Sequence, residues 1–136
     1  MHVMLLFYGT AYTGAGKPLP AEAFQEIVTK HLTYERDVLR ANATVVVGQA
    51  LQPAVAAQTI RFGDTATVAP GPFATTDEAL GGFYLIECRD LDEAVELARQ
   101  YPMPPGFGCI EVRPVIPFDP ALRRQVIGEE PAHVEL

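Results

Sequence analysis

The sequence predicts an α+β fold, an antiparallel sheet with its helices on one face, built as one domain. Three observations predict it. Strand-length apolar runs alternate with two stretches of helical periodicity. A turn signal, Gly63-Asp64, separates two short β-rich segments between the second and third long strands. At 136 residues, 49% of them apolar and 20% charged, the chain suits a single core.

Residues 2–8, His-Val-Met-Leu-Leu-Phe-Tyr, read as a first strand with apolar groups on both faces, as in a sheet covered on both sides. A Gly/Pro loop follows, Gly9 to Pro20. Its Gly14-Ala15-Gly16-Lys17 stands between a strand and a helix, where a phosphate loop would stand. The match fails, because that motif needs glycine at Ala11 and Ser or Thr at Pro18. The first helix is expected from Pro20, a favourable first-turn residue, to about Asn42. Phe24, Ile27, Val28, His31, Glu35 and Val38 share its apolar stripe.

Residues 43–48 read as the second strand, and 58–62 with 65–69 as the hairpin. Pro70-Gly71-Pro72-Phe73 breaks the chain before a third strand at 82–88. Asp90 caps the second helix, with Glu93 in capping-box position and Leu91, Ala94, Val95 and Ala98 as its buried stripe. Prolines 102, 104 and 105 end it. A fourth strand, 108–115, precedes a Pro-punctuated tail with one short helix at 120–127. The order β-α-β-hairpin-β-α-β is that of the split βαβ, ferredoxin-like unit. Two helices cover one face of such a sheet, yet Phe83 and Leu85 alternate with Tyr84, Ile86 and Cys88. The other face therefore calls for a partner, most simply a second copy in a homodimer.

The charge of −7 argues against nucleic acid, which needs clustered Lys and Arg. No apolar run approaches a membrane span, and the start reads as a strand rather than a signal peptide, so a cytoplasmic protein is expected. Cys88 and Cys109 form neither a disulfide framework nor a zinc pattern; both are expected as buried free thiols. His2 and His133 stand at the two ends, so no metal site is expected. The chain contains no serine, which excludes a Ser/His/Asp triad.

The chemistry centres on His31. Histidine titrates near neutrality and can give or take a proton, and Glu35, one turn on, can orient it. Arg61 offers a planar fork for a carboxylate, or else a plain ion pair. Phe73 and Tyr84 either line a cavity or simply pack the core. Tyr101 is a phenolic donor or a helix-end anchor.

The run Pro70 to Ile86, PGPFATTDEALGGFYLI, resembles the signature of the DGPF branch of the YCII-related proteins. The resemblance extends to Met4-Leu5-Leu6-Phe7-Tyr8, to Thr59-Ile60-Arg61 and to Gly108 through Val115, and covers residues 1–116 as the domain, leaving 117–136 as a tail packed on it or on a partner. It implies a dimeric α/β barrel with a cavity in each half and no cofactor. It also implies a His–Asp pair in the YCII type, where His31 matches the histidine and Tyr101 stands in place of the aspartate. Within the signature, Pro70, Thr75 and Asp77 replace a usual acid, glutamate and lysine, while Glu78 remains. Relatives are linked to dechlorination of a lactone, and DGPF-type sequences often occur beside sigma factors.

Two classes of function follow. One is a binding or regulatory module for an unknown small molecule, with a regulatory protein as a further partner. The other is a cofactor-independent lyase or isomerase acting on a lactone or chlorinated acid, with His31 as general acid/base. Convergence of His31, Glu35, Arg61 and Tyr101 on one cavity would favour the enzyme. The Pro70–Leu80 loop is expected to border that cavity.

Overall fold

The structure, a computed structural model, describes residues 1–16 and 18–129; Lys17, at the end of the failed phosphate-loop motif, and His133 lie outside the described residues. Strand β1 (His2–Gly9) alternates strictly, with Val3, Leu5 and Phe7 buried and Met4, Leu6 and Tyr8 half-buried. It occupies the middle of a four-stranded sheet in the order β2 (Thr44–Ala50), β5 (Ala79–Glu87), β1, β6 (Gly108–Pro114). β1 is antiparallel to both β5 and β6, and β2 is antiparallel to β5. That order and connectivity are those of the ferredoxin-like unit. The hairpin β3 (Gln58–Phe62) and β4 (Ala66–Pro70) forms a separate two-stranded sheet between β2 and β5.

Helix α1 (Ala21–Tyr34) continues through a π turn, Glu35–Leu39, into α2 (Arg40–Asn42). The expected helix is therefore one run with a defect in its middle. A π turn inserts one residue and rotates everything after it. Its mark is the Arg40 N–H, which donates to the Glu35 carbonyl five residues back. Beyond the start of the turn, Leu39 is buried and Val38 half-buried; up to it, Tyr34 is buried, Val28, His31 and Glu35 are half-buried, and Phe24 and Ile27 of the expected stripe are exposed.

Helix α3 (Leu91–Arg99) starts where expected: the Asp90 carboxylate accepts from Glu93 N–H at 2.8 Å. The Glu93 side chain takes the Arg89 N–H at 3.3 Å rather than closing the box on Asp90. Ala94, Leu97 and Ala98 bury, an i, i+3, i+4 stripe, and Leu91 and Val95 flank it exposed. Helix α4 (Pro120–Ile127), capped by Asp119 accepting from Ala121 N–H at 2.9 Å, occupies its expected span with Leu122, Val126 and Ile127 exposed.

The core lies between the helices and one sheet face, where Val3, Leu5, Phe7, Val45, Tyr84 and Ile86 meet Tyr34, Leu39, Ala94, Leu97 and Ala98. Cys88 is buried beside it, but Cys109 is exposed: it pairs with Tyr8 on the edge strand β6, on the face turned away from the helices. Both cysteines are free. Among the described residues no helix is long and apolar enough to cross a membrane.

Candidate functional site

Four of the residues singled out in the sequence converge on the helix-covered face. His31 comes from α1, Glu35 from the start of the π turn, Tyr84 from β5 and Tyr101 from the turn after α3. His31 Nδ1 lies 3.0 Å from the Tyr101 hydroxyl, and Nε2 lies 2.8 Å from the Tyr84 hydroxyl. Tyr84 in turn donates to Glu35 Oε1 at 2.8 Å, and Arg40 Nε donates to Glu35 Oε2 at 2.8 Å. The phenol has one proton and gives it to Glu35, so toward His31 it is an acceptor. Nε2 therefore carries the imidazole proton and Nδ1 accepts from Tyr101. Each hydroxyl and the imidazole N–H in the chain Tyr101–His31–Tyr84–Glu35 then has one acceptor, and the bonds run in relay.

The electrostatics agree. Burial pushes the His31 pKa below its ordinary value, against the smaller opposing pull of Glu35, so the ring is neutral at pH 7. Burial acts upward on the Glu35 carboxyl, but hydrogen bonds from Arg40 and Tyr84, with the charge of Arg40, outweigh it and hold the group ionised, and His31 adds to this only once protonated. Burial raises Tyr84 far above the usual phenol range, reinforced by the Glu35 hydrogen bond, and raises Tyr101 to about 12. Both phenols keep their protons.

Aromatic packing fixes the geometry. Phe7 stands edge-on to His31, Tyr84 and Tyr101, with ring centroids 5.9, 5.8 and 4.9 Å away, and His31 stacks on Tyr84 at 5.3 Å. Such pairs add to plain burial. Glycine is required beside them, since a Cβ at Gly48 would lie 2.3 Å from the Tyr84 ring.

The concave surfaces lie elsewhere. A cavity of about 830 Å³ opens between the segment 51–57 and the signature loop 72–80; its walls include Leu51, Val55, Phe73, Glu78 and Leu80. A shallower recess of about 390 Å³ is lined by Tyr8, Glu78, Cys109, Ile110 and Glu111, so Tyr8 and Glu78 border both. The signature loop borders a cavity, but not one on which His31, Glu35, Arg61 and Tyr101 converge. His31 lines neither space; both its nitrogens meet protein hydroxyls and its ring stacks on Tyr84. The candidate residues thus divide into two groups, His31, Glu35, Tyr84 and Tyr101 in the relay, and Phe73 and Glu78 at the cavity. Among the described residues Arg61, on β3, joins neither the relay nor a carboxylate; its Nη2 donates to the Phe73 carbonyl at 3.3 Å.

Two participants escaped sequence reasoning. Arg40 stands five residues after Glu35, a spacing that faces away in an α-helix and meets only across a π turn. Phe7 was legible as part of the first apolar strand, but not its place among three aromatic partners. Among the described residues no group of three His, Cys, Asp or Glu side chains is arranged to hold a metal ion.

A model of the YCII-related domain matches residues 1–119, and the chain belongs to that family. It is also similar to an uncharacterized protein of Rhizobium meliloti (strain 1021), with 46% identity over 72 residues, 52% of this chain and 58% of the relative. The match thus spans little more than half the length of that relative.

Proposed function

We propose that this YCII-related protein is a small-molecule-binding module of the DGPF-type branch, working as a homodimer. One observation carries the reading: the space of ligand size is the cavity between 51–57 and 72–80, while the one histidine suited to proton transfer is saturated by Tyr84 and Tyr101. A volume of about 830 Å³ falls within the range of ordinary ligand sites, which are mostly apolar with a few placed polar groups. Here the apolar part comes from Leu51, Pro53, Val55, Phe73 and Leu80, and the polar part from threonines and Glu78. A fragment screen read by backbone amide shifts tests it. Responses should cluster on 51–57 and 72–80; responses confined to residues around His31 would sink it.

The second reading, a cofactor-independent lyase or isomerase acting on a lactone or chlorinated acid, draws on the relay itself. Displacing the Tyr101 hydroxyl from Nδ1 would expose a basic nitrogen whose opposite proton is held through Tyr84 by an ionised Glu35. Turnover of such a substrate, abolished by His31→Gln with the fold intact, would establish this reading in place of the first.

A further inference from the structure

We propose that the cavity under the signature loop selects a small organic cation, an amine or quaternary ammonium group on an apolar body. This rests on the binding reading above and adds the ligand's chemistry to it. Among the described residues lining the cavity, Glu78 is the only carboxylate, and none is Lys, Arg or His. Among the described residues the Glu78 carboxylate meets the Cys109 thiol, which donates to Oε2 at 3.9 Å, and no cation. Its neighbour across the smaller recess, Glu111, is neutralised by Arg113 on the same strand. Among the described residues Glu78 is therefore the charge without an opposite partner that lines both spaces.

The surroundings suit a cation and repel an anion. Tyr8 and Phe73 offer aromatic faces, which attract ammonium groups. The nearest guanidinium on the hairpin, Arg61, is turned to the Phe73 carbonyl. Thr76 Oγ1 donates to the Glu78 carbonyl at 2.6 Å, so the loop that carries the carboxylate is braced locally rather than by pairing its charge. A net charge of −7 raises the local concentration of cations and lowers that of carboxylates. The apolar walls accept the rest of the molecule.

Three probes of one size separate the ideas: benzyltrimethylammonium, benzoate and neutral benzyl alcohol, titrated by calorimetry and by amide shifts. The cation should bind at least about tenfold tighter than benzoate, the weight of one charge-assisted contact. Glu78→Gln should erase that advantage, Glu78→Asp should keep most of it, and Phe73→Ala should weaken the cation several-fold. Both side chains are exposed, so these variants keep the fold, which circular dichroism verifies. Equal binding of benzoate, or a Glu78→Gln protein that binds the cation unchanged, overturns the proposal. If benzyl alcohol alone binds, with shifts at 51–57 and 72–80, the cavity reading stands and the cation proposal falls. If none of the three binds, both fall.

Discussion

Tyr84 ties the sheet to the long helix through a single oxygen, donating to Glu35 at 2.8 Å and lying 2.8 Å from His31 Nε2. The ring is buried, whereas its partners His31 and Glu35 are half-buried. Tyr84→Phe leaves the imidazole N–H and one carboxylate oxygen without a partner in a half-buried position. Urea denaturation should show a loss of about 1–3 kcal/mol. A change within about 0.5 kcal/mol, the range of ordinary surface substitutions, would mean the relay contributes nothing to stability.

Stability should fall on acidification before ordinary carboxylates titrate. The folded-state pKa of His31 lies below its ordinary 6.5, so the unfolded chain binds the proton first as pH drops. The contribution is whole above about pH 6.5 and declines as pH falls from there toward the folded value. Glu35, lowered from 4.5, continues the decline at lower pH, because its contribution is lost as pH falls through its folded value. Denaturation midpoints from pH 7.5 to 5 should decrease for the wild type and flatten in His31→Gln. A ring-proton titration placing His31 at or above 6.5 would contradict this.

The same neutral ring predicts a tautomer. Nitrogen-15 correlation spectra at pH 7 should show His31 protonated at Nε2, with Nδ1 as the acceptor from Tyr101. Tyr101→Phe should leave that tautomer in place, since the Nε2 bond to Tyr84 survives. The opposite tautomer would reverse the relay and remove the argument that Glu35 holds the proton through Tyr84.

Gly48 sets the room for this cluster. A methyl there would meet the Tyr84 ring at 2.3 Å, whereas one at Gly63 in the hairpin turn would meet only the Thr65 carbonyl at 3.8 Å. Gly48→Ala must push Tyr84 away from His31 and Glu35, and overpacking of this kind costs about 1–3 kcal/mol. Gly63→Ala should stay near wild type. Equal melting temperatures for the two variants would show that Tyr84 moves freely.

Much of the scaffold was legible because its signals are local. A strand-length apolar run marked β1, Gly63-Asp64 marked the hairpin turn, and Asp90 marked a helix start through a short-range hydrogen bond. The meeting of His31 with Glu35 was also readable, being one helical turn. What failed was long-range or phase-dependent. Nothing local announces the π turn, and that turn brought Arg40 to Glu35. Arg61 looked like a ligand group, but its strand belongs to the separate hairpin, and hairpin placement is tertiary. Cys109 looked buried because an edge strand and a central one share the same apolar composition.

The face of the sheet opposite the helices gives the last prediction. Met4, Leu6, Phe83, Leu85 and Val47 fall on it by strand parity, with Leu6 directly opposite Phe83 and Val47 opposite Leu85. They remain half-buried in the single chain, whereas Val3, Leu5 and Ile86 on the helix face are fully buried. A broad apolar face without a helix layer calls for another sheet, and a second copy supplies one of the same composition. The wild type should sediment as a dimer at micromolar concentration, with a contact above about 1,000 Å² in total. Leu6→Asp places a charge against Phe83 at the centre of that face, where a dimer would bury it and a monomer would not. The variant should sediment as a folded monomer with unchanged far-ultraviolet dichroism. Phe83→Asp should do the same, whereas Ile60→Asp, on the exposed hairpin, should stay dimeric. A monomeric wild type would remove the dimer outright, and dimeric Leu6→Asp with monomeric Ile60→Asp would move the interface to the hairpin.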